Sequence, residues 1–497
     1  MEKRDQWNSR VGFIMGTVGA AIGLGNLWRF PFQAYSNGGG AFLIPYFFAL
    51  MTAGIPLMIM ELGFGSKMRS AAPSAFKKLG KRFEFIGWWQ VMIPVVVMCF
   101  YCNIISWSLN YLFLSFNMGW TQNPGDFFIG EFLKLSDSPW NLGKIRINIL
   151  VPLVFVWLTN YFIVRRGISK GIEKACKIIM PVLAVLMMVM VIRGVTLPGA
   201  RYGLNWFLEP DFTKIMNPKV WISAYSQVFF STTLAVGVMI AYSSYLPEKS
   251  DIVNNAHITV FSNAGFDFIA GICVFSVLGY YSFSMNIPFE EVMQNGAGLA
   301  FVAFPMAINE LPMHDIFKVA FGVTFFFALV IAGISSSVSM LESFASAILD
   351  RYDIKREKLI GIIAICGFLG SMIFVTQAGL YILDIVDHFV ANYGIAILGF
   401  IEAVLLGYAY DAHKMKEEVN EYSDIRVGTW WVICIKYITP IALGYIIIRN
   451  FIDEFKEPYS GYPVSALAAF GVSVALGMII AAILISRSKG GKQTLEK

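Results

Sequence analysis

Apolar residues run along this chain in long blocks rather than in the alternating or one-sided patterns of a water-soluble fold. A block of about 20 such residues, coiled as a helix, crosses a hydrocarbon layer roughly 30 Å thick. Blocks near residues 11–36, 41–65, 85–115, 147–164, 172–194 and 220–245 are followed by others near 255–281, 315–349, 357–375, 378–410, 430–449 and 462–486. They predict about twelve spans, with both chain ends on one side of a membrane. No polar linker divides the blocks into soluble units, so the expected fold is an all-α polytopic membrane protein with one transmembrane domain over residues 1–497.

Composition agrees: 57% of the 497 residues are hydrophobic and 14% are charged. That balance excludes a secreted, nuclear or soluble cytosolic protein. The net charge of +5 then reads as the basic excess of cytoplasmic loops rather than as a nucleic-acid footprint. Lys3, Arg4 and Arg10 open the chain, and alternate loops carry Lys77, Lys78, Lys81 and Arg82; Arg165, Arg166, Lys170 and Lys174; and Arg351, Lys355, Arg356 and Lys358. Arg487, Lys489 and Lys492 end it, whereas loop 283–315 is acidic, so both termini are expected in the cytoplasm. The first block runs too long for a signal peptide. All six cysteines fall inside predicted spans, so no outer disulfide framework is expected. Cys99 and Cys102 form a lone CxxC without a second pair, and the four histidines form no metal-binding spacing; no transition metal is expected.

Three spans depart from a plain hydrophobic helix. In the first, Gly16, Gly19, Gly23 and Gly25 precede Asn26, Arg29 and Pro31. Glycine loosens the backbone and proline removes a donor, so unwinding near mid-span is expected, with close helix packing as the alternative. In the sixth, Ser231, Thr232 and Thr233 cluster behind Phe229 and Phe230. If spans 1–5 and 6–10 are two halves, these anomalies occupy corresponding places, a pattern that points to a transporter site at the interface of inverted repeats. The eighth carries Ser335, Ser336 and Ser337. Buried polar groups accompany them: Glu61, Asn263, Asp267, Glu342, Asp384, Asp387 and Glu402. A charge at this depth costs roughly several kcal/mol unless paired, hydrated or neutralised. For Glu61 and Glu402 the favoured reading is structural, an ion pair or a cap on a broken helix. Oxygen ligands without thiols or imidazoles suit a hard cation, and few fixed carboxylates suit a singly charged one.

Gly23-Leu24-Gly25-Asn26-Leu27-Trp28-Arg29-Phe30-Pro31, then Asn37-Gly38-Gly39-Gly40-Ala41-Phe42, resembles the signature of the neurotransmitter:sodium symporter family. Residues 166–173 and 227–231 agree, and the resemblance runs from about residue 4 to about residue 450. It implies the leucine-transporter (LeuT) fold: inverted five-helix repeats over about 1–195 and 196–412, with broken helices 1 and 6, and two further helices with a cytoplasmic tail over 413–497. It also implies sodium-driven uptake of an amino acid or related amine. Carried over residue by residue, one sodium ion touches the Ala21 carbonyl, Asn26, Ser231, Asn263 and the substrate carboxylate. A second lies among the carbonyls of Gly19, Ile22 and Ala332 and the hydroxyls of Ser335 and Ser336. Substrate meets Ala20, Ala21, Gly25, Val97, Tyr101, Phe230, Ser231, Thr233, Val236, Ser336 and Met340. Arg29 and Asp387 resemble an outer gate lidded by Phe230 and Tyr101; Arg4, Trp7 and Asp350 an inner latch; Gly171 and Pro181 a pair where helix five unwinds.

The chain departs from the family at four places. Ala20 replaces the acid of amine carriers, and Asp267 replaces the serine of many chloride-dependent members. Loop 118–146 lacks the cysteine pair of animal members, which suggests a bacterial or archaeal source and the plasma (inner) membrane of a prokaryote. Ala235 stands where a glycine often marks the sixth-helix break, which weakens the expectation of unwinding there.

The expected function is therefore sodium-coupled import of a neutral, hydrophobic or aromatic L-amino acid, chloride-independent, with proton antiport in addition. About two Na+ and no organic cofactor are expected, with the bilayer and the substrate as partners, no nucleic acid, and a monomer or weak homodimer. A channel or membrane-bound sensor using the same buried groups is the alternative, although no ring-like charge repeat or filter sequence is present. An enzyme is not expected, because no nucleophile–base pair or nucleotide motif occurs.

Overall fold

The computed structural model describes residues 5–488, so Arg4 lies outside the described residues. Ten continuous helices are long and apolar enough to cross a membrane, and one further bent pair passes the same test. The bent pair is α1 (Arg10–Ala21) with α2 (Leu24–Ser36), which meet at 55°. It is followed by α3 (Gly40–Met68), α4 (Lys81–Ser115), α5 (Ile147–Val164) and α6 (Ile168–Val195). The sixth span is again two pieces, α7 (Pro218–Ser231) and α8 (Val238–Ser243). Then come α9 (Ile252–Met285), α10 (Asp315–Arg351), α11 (Arg356–Val375), α12 (Gly379–Ala409), α13 (Thr429–Gly461) and α14 (Val464–Arg487). The ten continuous helices and two broken spans match the expected order, and no strand is formed among the described residues. The protein is an all-α polytopic membrane protein.

The long helices are apolar nearly all round, so their length and composition, not a one-sided stripe, place them in the membrane. How deeply each is packed separates centre from rim. Of the most apolar 18-residue window, 72% is buried in α4 but 17% in α14. The latter turns Leu476, Ile480 and Leu484 outward. Helices α4 and α10 run along one another as the central pair; α1 packs on α6 and α10, α2 on α9, and α8 on α3. The broken spans therefore lie inside a frame of unbroken ones.

The first break follows from composition. Ile22 and Gly23 are extended, with φ −75° and −136°, and interrupt the helix after Ala21. The sixth break was the less expected, because Ala235 replaces glycine, yet the chain leaves the helix there in full. Thr233, Ala235 and Gly237 have φ of 56°, 61° and 70°. The left-handed region costs a non-glycine residue roughly 1–2 kcal/mol. Two bonds from other spans hold it: the Ala235 amide donates to Glu61 Oε1 at 2.7 Å, and the Thr233 hydroxyl donates to the Ala20 carbonyl at 3.0 Å. Glu61 is thus the cap on a broken helix that the sequence suggested.

The helix ends on the side of the chain start are tied by buried charge. Arg356 pairs with Glu342, which also accepts from the Tyr245 hydroxyl at 2.9 Å. The same guanidinium donates to the Val164 carbonyl at 3.0 and 2.9 Å, joining α5, α10 and α11. Arg351 pairs with Glu84 and donates to the Ile485 carbonyl at 2.8 Å, pinning α14 to the start of α4 and the end of α10. The start of α1 is fastened to α6: Glu173 accepts from the Asn8 amide at 2.8 Å and the Ser9 hydroxyl at 3.0 Å. Asp5 accepts from the Ile168 amide at 2.7 Å.

Removing one member of a buried pair strands the other. Arg356→Ala leaves Glu342 uncompensated and should lower stability by about 3 kcal/mol. Thermal unfolding of the purified protein in detergent checks this; an unchanged midpoint contradicts it.

Candidate functional site

The two breaks face each other across one cavity at the centre of the bundle, lined by α1, α2, α4, α7, the sixth-span break, α10 and α12. All eleven residues assigned to substrate from the sequence line it. Val97 and Tyr101 are four apart on α4, as Ser336 and Met340 are on α10, so each pair shares a helix face. The close approach of the walls requires glycine: a Cβ at Gly25 would lie 2.3 Å from the Phe230 ring, and one at Gly23 would lie 2.7 Å from the Tyr101 hydroxyl.

Polar side chains satisfy the broken first span. Gly23 donates its amide to Asn26 Oδ1 at 2.8 Å, and Leu24 donates to the Tyr101 hydroxyl at 3.0 Å. On the other side of the break, Ser336 Oγ lies 3.0 Å from the Ile22 carbonyl oxygen, 3.3 Å from that of Ala20 and 3.5 Å from that of Gly19. Ser335 Oγ bonds the Ala332 carbonyl at 2.8 Å. Of the five groups assigned to one sodium ion, Ser336 thus meets the carbonyls of Gly19 and Ile22 where α1 ends, while Ser335 and Ala332 are bonded to one another on α10.

The groups assigned to the other ion form a buried chain. Asn26 Nδ2 donates to Asn263 Oδ1 at 2.9 Å and to Asp267 Oδ1 at 2.8 Å, and Asn263 Nδ2 donates to Ser231 Oγ at 3.1 Å. Ala21 lines the cavity beside them. Asn263 and Asp267 share one face of α9, as their spacing requires. Tyr46 donates to Asp267 Oδ2 at 2.7 Å, and the buried side-chain amide of Gln227 faces the same carboxylate. Two clusters of carbonyl, hydroxyl and amide oxygens, one with a carboxylate at its edge, are chemically suited to a hard monovalent cation.

Outside the cavity, Arg29 does not form a contact ion pair with Asp387. Its guanidinium sits 4.2 Å above the Phe230 ring, while Asp387 lines the cavity within range of that charge. Arg29 and Phe230 also line a small outer chamber, so the ring separates cavity from vestibule. Near the chain start Trp7 is buried against Phe13 and Tyr242 and donates to the Tyr242 carbonyl at 2.9 Å. Asp350 accepts from the Ala71 amide at 2.7 Å. Gly171 lies in the first turn of α6, where a Cβ would meet the Ile163 carbonyl at 2.2 Å, and Pro181 lies further along the same helix.

The sequence reading passed over some of the lining. Pro94 was within reach, since it precedes Val97 by one turn on a shared face. Leu234, Val390, Ala391 and Ile395 carry no local signal, being ordinary apolar residues brought in by packing. Glu173 was missed because nothing near it in sequence marks its partners at residues 8 and 9.

A membrane bundle whose only interrupted spans among the described residues face one another across a buried cavity has the anatomy of a secondary transporter. The profile of the "Sodium:neurotransmitter symporter family" matches residues 4–124 and 119–490, and the chain belongs to this family of sodium-dependent transporters. It is 40% identical over 482 residues to an uncharacterized sodium-dependent transporter of Methanocaldococcus jannaschii, covering 97% of both chains. It is 31% identical over 477 residues to the human sodium- and chloride-dependent GABA transporter 2, covering 88% of this chain and 78% of that one. A sodium-dependent dopamine transporter of Caenorhabditis elegans is 31% identical over 513 residues, covering 92% and 82%.

Arg29 reaches Asp387 only through space and packs on the Phe230 ring, so its removal should free that ring without dismantling the cavity. Arg29→Ala is expected to abolish or severely reduce transport while retaining part of the sodium-dependent ligand binding. Vesicle uptake and equilibrium binding on the same preparation test this; wild-type uptake removes the gate assignment.

Proposed function

We propose that this protein imports a neutral amino acid with a bulky apolar or aromatic side chain, together with about two sodium ions, by alternating access. The observation that carries the reading is the meeting of both broken spans at one cavity, with two oxygen clusters beside it. Ala21, Asn26, Ser231 and Asn263 would hold the first ion, completed by the substrate carboxylate. Gly19, Ile22, Ala332, Ser335 and Ser336 would hold the second. Ala20 offers no acid for a substrate amine, so an amine lacking a carboxylate would leave the first ion short of a ligand. Val97, Val236 and Met340 would take the side chain. Residues of about 1–195 and 196–412 would be the halves that rock against each other, with Arg29, Phe230 and Asp387 closing outside and Trp7, with Arg4 and Asp350, inside. The setting would be a prokaryotic plasma membrane with both termini in the cytoplasm. A channel or sensor gains no support from any particular observation.

Moving two net charges inward gains roughly 4.6 kcal/mol per 100 mV. A tenfold gradient of each ion adds about 2.8 kcal/mol, together enough for a substrate gradient on the order of 10⁵, or on the order of 10⁴ when the return of one proton cuts the net charge to one. Uptake of leucine-like or aromatic amino acids into vesicles should therefore carry inward positive current and exceed glycine uptake strongly. Electroneutral uptake, or a preference for glycine or for an amine without a carboxylate, contradicts the proposal.

Asp267 underlies the proposal of chloride independence. Its carboxylate lies beside Asn26 and Tyr46, next to the first ion cluster, and would supply the negative charge that two cations favour in a low-dielectric region. Once sodium has left, the same group would be desolvated without a counter-charge and would take a proton for the return step, giving proton antiport. The wild type should work equally in chloride and gluconate, whereas Asp267→Ser should become chloride-dependent. A wild-type protein that stops in chloride-free medium refutes this.

A further inference from the structure

Between the first turns of α7 and the later half of α13 the surface opens into an apolar groove of about 650 Å³, which shares no lining residue with the central cavity. Its walls include Met216, Trp221 and Tyr225 on one side and Ala442, Tyr445 and Ile446 on the other. The polar tips of Trp221 and Tyr225 are engaged within the protein. Trp221 Nε1 donates to the Ile215 carbonyl at 2.9 Å, and the Tyr225 hydroxyl lies 2.7 Å from that of Thr52. These two walls therefore offer ring faces and hydrocarbon. Ile441, Tyr445, Ile448 and Phe455 of α13 are exposed beside the groove, as on the lipid-facing side of a membrane helix.

Arg449 stands at the end of the same stripe. Ala442, Tyr445 and Ile446 precede it by seven, four and three positions, so all four share one face of α13. Its Nε is shut off from solvent, and among the described residues its side chain forms no hydrogen bond or ion pair. An arginine at membrane depth is costly unless paired, and a buried donor without an acceptor requires a cause. The next acids along the helix do not supply one. Asp453 lines a separate chamber beside Arg29 together with Glu454 and Glu457, and Glu454 is taken by His388 at 2.8 Å. Lys219, exposed next to Pro218 of the groove lining, also has no side-chain partner among the described residues.

Groove and guanidinium together match one chemistry. A guanidinium takes a phosphate through two parallel hydrogen bonds, and its long stem reaches along an apolar wall towards headgroup level. Ring faces and methyl groups suit a hydrocarbon chain. Basic pockets between membrane helices bind lipid headgroups. We propose that the groove between α7 and α13 is a binding site for an anionic membrane phospholipid, with its phosphate on Arg449 and one chain against Trp221 and Tyr445. The site lies outside the ion and substrate path. An occupant braces α7, whose last residues, Phe230 and Ser231, line the central cavity.

Native mass spectrometry of the delipidated full-length protein in detergent, with phosphatidylglycerol and phosphatidylcholine as probes, tests this. The wild type should retain one phosphatidylglycerol at a roughly tenfold lower lipid concentration than phosphatidylcholine, the order that one or two basic contacts supply. Arg449→Gln should abolish that preference. Ala442→Trp, which fills the groove and leaves Arg449 in place, should lower occupancy by both lipids, and decides the matter if Arg449→Gln fails to fold. Excess inorganic phosphate should not displace the lipid. Equal retention of the two lipids by the wild type, an unchanged preference in Arg449→Gln, unchanged occupancy in Ala442→Trp or full displacement by phosphate overturns the proposal. Neither substrate nor sodium enters the measurement, so its failure is separate from any failure of the transport reading.

Discussion

A backbone amide or carbonyl in hydrocarbon must find its partner within the protein, because neither lipid nor bulk water can supply one. Every irregular feature of this molecule answers to that constraint. The bundle breaks its helices at two places, and at each the freed groups are met by side chains. Asn26 of the same span, with Tyr101, Ser336 and the Thr233 hydroxyl from other spans, serves the first break. Glu61 serves the second. The breaks are thus stable only inside the frame made by α3, α4, α9 and α10. Two of these side chains, Asn26 and Ser336, also carry oxygens of the kind that suit a hard cation.

The first break was legible in the sequence because its cause is local: four glycines and a proline lower the barrier to leaving the helix. The sixth was legible only in part. Hydroxyls and aromatics marked the region, but Ala235 argues against unwinding when read alone, and the carboxylate that holds it comes from Glu61 in another span. Long-range partnership of this kind leaves no trace in hydrophobic periodicity. The same limit explains the placement of Arg29. Opposite charges at Arg29 and Asp387 suggest a contact, yet Phe230 offers the guanidinium an aromatic face closer to hand. Span number and order followed from hydropathy, whereas the convergence of residues from six helices on one cavity rested on motif resemblance.

The buried carboxyls sort by what surrounds them rather than by depth. Glu342 meets a guanidinium, and Asp384 accepts from the hydroxyls of Tyr459 and Tyr462 at 3.0 Å each. Both are structural ties. Asp267 is held by an amide and a phenol and touches the polar chain of the central site. Equal residue types at similar depth therefore differ in chemical latitude. A carboxyl neutralised by arginine has little freedom to change its charge, and one held only by neutral donors retains that freedom.

The fastening of the start of α1 to the first turns of α6, through Glu173 and Asp5, has a thermodynamic corollary. Segments bonded this way share one degree of freedom. Displacing the inner half of the first span and loosening the inner end of α6 become one equilibrium rather than two. Perturbations on either side then draw on the same coupling energy, and their effects combine non-additively, as expected for residues within one hydrogen-bonded network. Side chains more than a hundred and sixty positions apart in the chain thus behave, in energetic terms, as a single hinge.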